Sequence, residues 1–350
     1  MGTIGKKKPL FVCSNTLLGF LTCFAAVAYI RKNYSAWTVT STHNVAFVTF
    51  AFTSAAGDRW NANTSRLALQ FMYSSLVKSQ STYPKLHVFS NERSVIPKLT
   101  TQGMTPNIIF HQRETHSFPK NEYSKAGDPW RGLSLAKMDA VEEVIKFDGV
   151  QAIWIDLDTL LFVDLSSVRL ASQSWVVGYQ TGGCGGTNKN CSYEHVSRGG
   201  FTLGNIEPRF DAYGDLWSLT VANIESIRKY KLARIRKGLK PPLYDLQGYF
   251  TFMLHDGLLD VQLIHDILPY NFGFFCSNFN FPNEKNLEIS VKDDHLICPE
   301  REYVSMQSHV GSISFTAITF QNLFLKDSTE FTFIQDELAR SWMKRWFYAH

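Results

Sequence analysis

Apolar positions along the chain follow two periodicities, and their alternation predicts most of its first half. Asn44 to Phe52 (NVAFVTFAF) is rich in Val and Phe and ends in the loop Thr53 to Trp60, the pattern of a buried strand. From Thr64 to Lys78 apolar residues recur at helical spacing, at Leu67, Phe71 and Leu76. Lys85 to Ser90 (KLHVFS) and Asn107 to His111 (NIIFH) are two further short strands. Leu133 to Phe147 carries the clearest helical pattern, with Leu135, Met138, Val141, Val144 and Ile145 on one face, and Asp148-Gly149 stops it. The buried run Ala152 to Ile155 follows at once. Strands alternating with helices predict parallel pairing with helices packed on both faces, an α/β sheet of doubly wound type.

The second half has a different texture. Trp175 to Tyr179, Gly199 to Leu203, Tyr249 to Leu254 and Ser312 to Phe320 are short β-like or apolar pieces between Gly-, Pro- and Asn-rich loops. They are expected to pack against the first half and share its sheet, with no clean boundary between the two.

Within the apolar run "IWIDLDTLLF" stand Asp156 and Asp158. Strand alternation points both to the same face, about 7 Å apart, and two like charges so placed require a cation. A D-x-D triplet arises by chance about once in a chain of ordinary composition and this size. Its place at the carboxyl end of a buried strand, where doubly wound sheets bind ligands, gives it weight. A capping role for Asp158 is the plainer alternative. Hard carboxylate oxygens suit Mg²⁺ or Mn²⁺, ions that keep waters and take up substrate phosphates.

Composition narrows the setting. With 350 residues, 45% hydrophobic and 19% charged, the chain can bury a large core and shows no low-complexity tract or repeat. The net charge of +4 is dispersed apart from Lys6-Lys7-Lys8 and the block Arg228 to Lys240, which reads as a solvated helix face. No aromatic-interleaved basic stripe is present, so no nucleic-acid partner is expected.

Leu10 to Ile30 carries no charged residue and reaches the roughly 20 residues that cross a hydrocarbon core. Basic residues precede it at Lys6 to Lys8, with Arg31 and Lys32 after it, a bias toward a cytoplasmic N-terminus. The expected layout is a tail (1–9), a signal-anchor (10–30), a stem (31–43) and a lumenal domain (44–350). A cleaved signal peptide, with Ala26-Val27-Ala28 as its small-residue site, is the alternative. The acceptor triplets at Asn33, Asn63 and Asn190 all follow the apolar segment, in keeping with export. Of six cysteines, Cys13 and Cys23 lie in that segment. Cys184, Cys191, Cys276 and Cys298 are expected to form two disulfides, preferably Cys184 with Cys191 and Cys276 with Cys298, though three pairings are open. A zinc site is disfavoured by the irregular spacing.

The helix Leu133 to Phe147, the stretch "AIWIDLDTLLFVDLSSV", the later "RGGFTLGN", "YDLQGYF" and "SHVG" together resemble the ordered landmarks of GT-A fold glycosyltransferases, nearest the retaining, glycogenin-like families. That resemblance runs from about Val45 to Gly311. It implies a nucleotide-sugar-binding half (44–165), an acceptor-binding half (166–350), and Golgi or endoplasmic-reticulum residence as a single-pass type II membrane protein. It also implies that Asp156 and Asp158 hold the metal and the diphosphate of a UDP- or GDP-sugar, with His309, two residues before Gly311, completing the metal shell. The family's Lys-Pro-Trp after that histidine is replaced here by the region of Ser312-Ile313-Ser314. Its Asp-Gln-Gly appears as Asp245-Leu246-Gln247-Gly248, with one residue inserted.

By the same resemblance Arg131 and Lys137 are candidates for donor contacts, the Thr53 to Arg59 loop for base and ribose, and Gly200 for close backbone approach to the sugar. Asp245 and Gln247 are the catalytic candidates. A retaining course needs no base beyond the leaving phosphate, whereas an inverting one needs a carboxylate such as Asp245 or Asp256. The acceptor is a glycan, protein or lipid hydroxyl. Two rivals stand beside this reading. One is a phosphatase of the haloacid dehalogenase type, with Asp293-Asp294 as its later metal pair, although Thr159 directly follows the second acid, one position early. The other is an anchored protein that binds nucleotide sugars without turnover.

Overall fold

The computed structural model describes residues 45–53, 61–97, 107–114, 129–166, 174–180, 210–239, 245–255, 257–264, 268, 270, 289–297, 309–315, 320–327 and 329–348. The expected anchor and all the cysteines lie outside them. No helix among the described residues is long and apolar enough to cross a membrane.

The first half alternates as the pattern predicts: β1 (Val45–Phe50), α1 (Ala62–Ser79), β2 (Lys85–Ser90), β3 (Ile108–Gln112), α2 (Pro129–Asp148) and β4 (Gln151–Ile155). β1 pairs in parallel with β2 and β4, and β2 with β3. The next elements are β5 (Thr159–Leu161), β6 (Ser174–Gln180), β7 (Phe210–Ser218), α3 (Val221–Arg236), α4 (Asp245–His255) and β8 (Val261–Leu263). They extend the sheet to the order β3-β2-β1-β4-β7-β6-β8, with β7 antiparallel to both neighbours. This is a mixed seven-stranded sheet flanked by helices, a Rossmann-like arrangement. The small hairpin β9 (Ser290–Lys292) to β10 (His295–Ile297), the strand β11 (Ser312–Ser314) and the C-terminal helix α5 (Glu337–Tyr348) complete it. All described elements belong to one compact unit, 43–350.

Strand alternation divides the core into two layers. Phe47, Ile153 and Ile155 face Ala68, Leu69, Met72 and Leu76 of α1 and Met343 of α5. Ala46, Val48 and Trp154 face Val141 and Val144 of α2, Ile224 of α3 and Phe250 of α4. Trp154 and Trp217, directly opposite on β4 and β7, stack with ring centroids 6.0 Å apart. Trp175 and Trp217 are wholly buried and belong to the core.

Three expectations change. The buried face of α1 runs through Ser65, Ala68, Leu69, Met72, Tyr73 and Leu76, so Leu67 and Phe71 flank it. The helix also starts earlier, because the Asn61 side chain caps it by accepting from the Thr64 N–H at 2.9 Å. Tyr249 to Leu254, read as β-like from its aromatic content, lies in α4: Leu246, Tyr249, Phe250 and Met253 are buried at i, i+3, i+4 and i+7. In the basic block, Lys229, Arg236 and Lys237 are solvated as expected, whereas Arg234 is buried with its guanidinium 4.6 Å from the Phe252 ring.

A buried polar chain ties β2 and β3 to the end of α2. Asp148 accepts from Lys85 at 2.6 Å and lies 2.7 Å from Nε2 of His87, whose Nδ1 lies 2.8 Å from Nε2 of His111. Burial holds both imidazoles below the usual histidine value, against the pull of Asp148 on His87 and of Glu143 on His111. Rings kept neutral when folded take up protons more readily when unfolded, so their contribution is complete above about pH 6.5 and is lost as the pH falls. The urea midpoint is therefore expected to drop between pH 7.5 and pH 5.5. His87→Asn should lower it by about 1–3 kcal/mol equivalent at pH 7.5, for a buried partner left unpaired, and flatten the pH dependence. A variant with the wild-type pH slope would contradict this assignment.

Candidate metal centre

β4 ends at Ile155, and Asp156 opens a tight turn closed by the Thr159 N–H donating to the Asp156 carbonyl at 3.0 Å. The chain re-enters a strand at once as β5, which pairs with β11, and the Phe315 N–H donates to the Asp158 carbonyl at 3.0 Å. Both acids therefore stand on a turn and not within a strand. Donor oxygens of Asp156, Asp158 and a third acid, Asp215, lie within 4.8 Å of one another, closer than strand alternation allows.

Asp215 comes from β7. The register places it opposite Asp156, and the Asp156 N–H donates to the Asp215 carbonyl at 2.8 Å. On its other side β7 carries an irregularity: pairing with β6 passes from Val176 with Trp217 to Val177 with Tyr213, so the register skips Gly214, Asp215 and Leu216. Bulges of this kind re-aim side chains beside functional sites.

Lys137 projects from the middle of α2 to both oxygens of Asp156, at 2.7 and 2.8 Å. Its ammonium also lies 5.2 Å from the centre of the Trp154 ring, and Trp154 Nε1 donates to Asp156 from below. Burial would lower the lysine pKa, but the charges of Asp156, Asp215 and Asp158 outweigh it and raise the value. Burial, followed by the charge of Asp156, pushes Asp158 up to about 8. Three carboxylates against one ammonium leave two negative charges when all are ionised. Without a cation, the cluster relieves that excess by keeping a proton on Asp158. The donor set is all hard oxygen, with a charge deficit that matches a divalent ion, so the three acids fit a metal ion.

The other candidate residues are distributed as follows. Thr53 is buried just beyond β1, its N–H donating to Asn91 Oδ1 at 2.8 Å and its hydroxyl to Glu92 Oε1 at 2.7 Å. Arg131 lies in the first turn of α2, and Asp245 is the first residue of α4. Gln247 packs against Gly214, the neighbour of Asp215: a Cβ built at 214 would stand 3.7 Å from that of Gln247. Arg59, Gly200 and Asp256 lie outside the described residues.

His309 is not brought to the acids. It bridges to Ile297 and stacks on His295 with ring centroids 4.8 Å apart. Phe315 is the residue level with Asp158, so His309 lies six positions back along the chain, and it is not part of the acidic group. Asp215, and not His309, is the residue grouped with Asp156 and Asp158 as a third potential ligand. Asp293 and Asp294 form the β9–β10 turn with φ of 49° and 60°, and they are not part of the acidic group. Asp215 did leave a trace in the sequence: an acid after an isolated glycine within a strand-like run (YGDLW) is a bulge signal.

No protein-family model matches the chain, and no curated protein matches it.

A metal ion must displace the Asp158 proton, so its binding is expected to tighten as the pH rises toward about 8. Conversely, the proton-dependent part of metal-free stability is complete in acid and lost as the pH climbs through that value. The rise in Tm on adding Mn²⁺ should be larger at pH 8.5 than at pH 6.5. Equal shifts at the two pH values would count against this coupling. At fixed pH, Asp215→Asn should remove most of the Mn²⁺ shift and His309→Ala should leave it intact; the reverse pattern would restore His309 as the ligand.

Proposed function

We propose that the protein is a metal-dependent glycosyltransferase of GT-A type, moving a sugar from a UDP- or GDP-sugar to a hydroxyl of a glycan, protein or lipid. The observation that carries this reading is the acidic triad with Lys137 at the carboxyl end of β4. It lies at the edge of the four parallel strands, where the sheet turns antiparallel. Ligands of open α/β sheets sit beyond those strand ends. Mn²⁺ or Mg²⁺ on carboxylates commonly keeps open positions for phosphate oxygens.

The leaving group is a nucleoside diphosphate, and a cation stabilises the charge that develops on it. Asp156, Asp158 and Asp215 would hold that cation, and Lys137, already among them, offers a second positive charge beside the diphosphate. Asp245 opens α4, and Gln247 two residues on lies against Gly214 beside Asp215, where an acceptor or the reacting sugar carbon would lie. A retaining course is favoured because the resemblance is to retaining families. The expected anchor at 10–30 would tether the domain in the Golgi or endoplasmic-reticulum lumen, where the acceptor Asn63, exposed on α1, would be open to glycosylation. The phosphatase alternative is weakened by Thr159, whose hydroxyl is buried and hydrogen-bonded to Ser314 at 2.9 Å, away from any reacting phosphate.

Release of nucleoside diphosphate from a panel of UDP- and GDP-sugars, with Mn²⁺ and with chelator, tests the reading on residues 41–350. Metal-dependent release from one donor, reduced at least about 100-fold in Asp158→Asn, is expected if the cation stabilises the leaving group. Phosphatase activity in place of transfer, or nucleotide binding with no release from any donor, would overturn it.

A further inference from the structure

Lys137 stands where the helical pattern calls for an apolar residue. On α2 it continues the buried stripe of Ala140, Val141 and Val144 by one turn toward the N-terminus, and its ammonium ends among the acids. A charge so placed is costly unless it is paired and hydrogen-bonded. Lys137 donates to both Asp156 oxygens, at 2.7 and 2.8 Å, and makes a longer contact with the Gly214 carbonyl at 3.5 Å, which accounts for its three protons. Asp156 is nearly saturated in turn. An ionised carboxylate offers about four acceptor positions. Lys137 takes one on each oxygen and Trp154 Nε1 takes another on Oδ1, so one is left.

Two cations therefore compete for one carboxylate. A divalent ion held by Asp156, Asp158 and Asp215 must draw on Asp156 through its last open position, beside the ammonium, or through an oxygen that Lys137 gives up. Either course sets a tethered positive charge against the ion at short range. The side chains of Lys137 and Asp156 are only 18% and 20% exposed, so solvent and salt screen that opposition weakly. In the empty centre the same ammonium has the opposite effect, because it offsets part of the repulsion among three crowded acids.

We infer that Lys137 is a tethered competitor of the divalent ion: it holds the empty centre together through Asp156 and keeps the ion exchangeable, so that the metal is taken up and released and is not a permanent structural ion. The inference rests on the triad being a metal centre, and not on the identity of the sugar donor. It is tested by calorimetric titration of Mn²⁺ into wild-type protein, Lys137→Met and Lys137→Gln, with Tm measured in chelator and in Mn²⁺. Lys137→Gln, which can still donate a hydrogen bond to Asp156 but carries no charge, keeps the test available should Lys137→Met fail to fold. The variants are expected to bind Mn²⁺ at least about tenfold more tightly than wild type, for loss of a like charge beside the ion. Their Tm should be lower than that of wild type in chelator and should rise further on adding Mn²⁺. Unchanged affinity, with stability lost equally in chelator and in Mn²⁺, would make Lys137 a structural pin between α2 and β4. Weaker binding in the variants would make it a positioning residue for Asp156. Either result would overturn the competition and leave the metal centre standing, whereas wild-type protein that takes up no Mn²⁺ would overturn both.

Discussion

Three carboxylates gathered within a few ångströms on the apolar end of a sheet is the constraint around which the rest of this fold is arranged. Such crowding is costly unless opposite charge is supplied. Lys137 supplies part of it, and the position of Lys137 depends on α2 lying against the sheet through Val141 and Val144. α2 is in turn tied to α3, where Arg228 pairs with Asp139 and with Glu142, the latter at 2.6 Å. Below the acids, Trp154 and Trp217 fill the layer between sheet and helices. Each such ring contributes roughly 4 kcal/mol or more by burial alone, enough to hold a strained electrostatic arrangement in place.

The same arrangement bears on the proposed chemistry. A bare cluster of acids would repel a diphosphate. With a divalent ion and Lys137 it would be locally neutral, and the diphosphate of the proposed donor would meet compensating charge fixed in advance. Asp215 joins the pair because the β4–β7 register sets it opposite Asp156 on the same face of the sheet. Gln247 and Gly214 then set the wall on the α4 side.

The sequence disclosed Asp156 and Asp158 because charge interrupts an otherwise apolar run, and it disclosed β1 to β4 because alternating strand and helix periods impose a parallel sheet. Asp215 stayed hidden because its place depends on β7 inserting antiparallel between β4 and β6, a long-range pairing that no local period encodes. His309 was assigned by motif order alone. The β5–β11 ladder carries it away from the acids, and its ring finds a partner in His295. α4 was misread because Tyr249, Phe250 and Phe252 favour strands locally, whereas the buried i, i+3, i+4, i+7 stripe that decides the matter is satisfied only by packing against β7 and α2.

The central claim is that one divalent cation sits among Asp156, Asp158 and Asp215. Anomalous diffraction from crystals grown with Mn²⁺ and a nucleoside diphosphate tests it most directly. The account predicts a single strong peak about 2.0–2.2 Å from carboxylate oxygens of this triad, with phosphate oxygens completing the shell. A fully occupied Mn²⁺ bound at His309, or a triad with Lys137 still in place and no peak beside it, would contradict it.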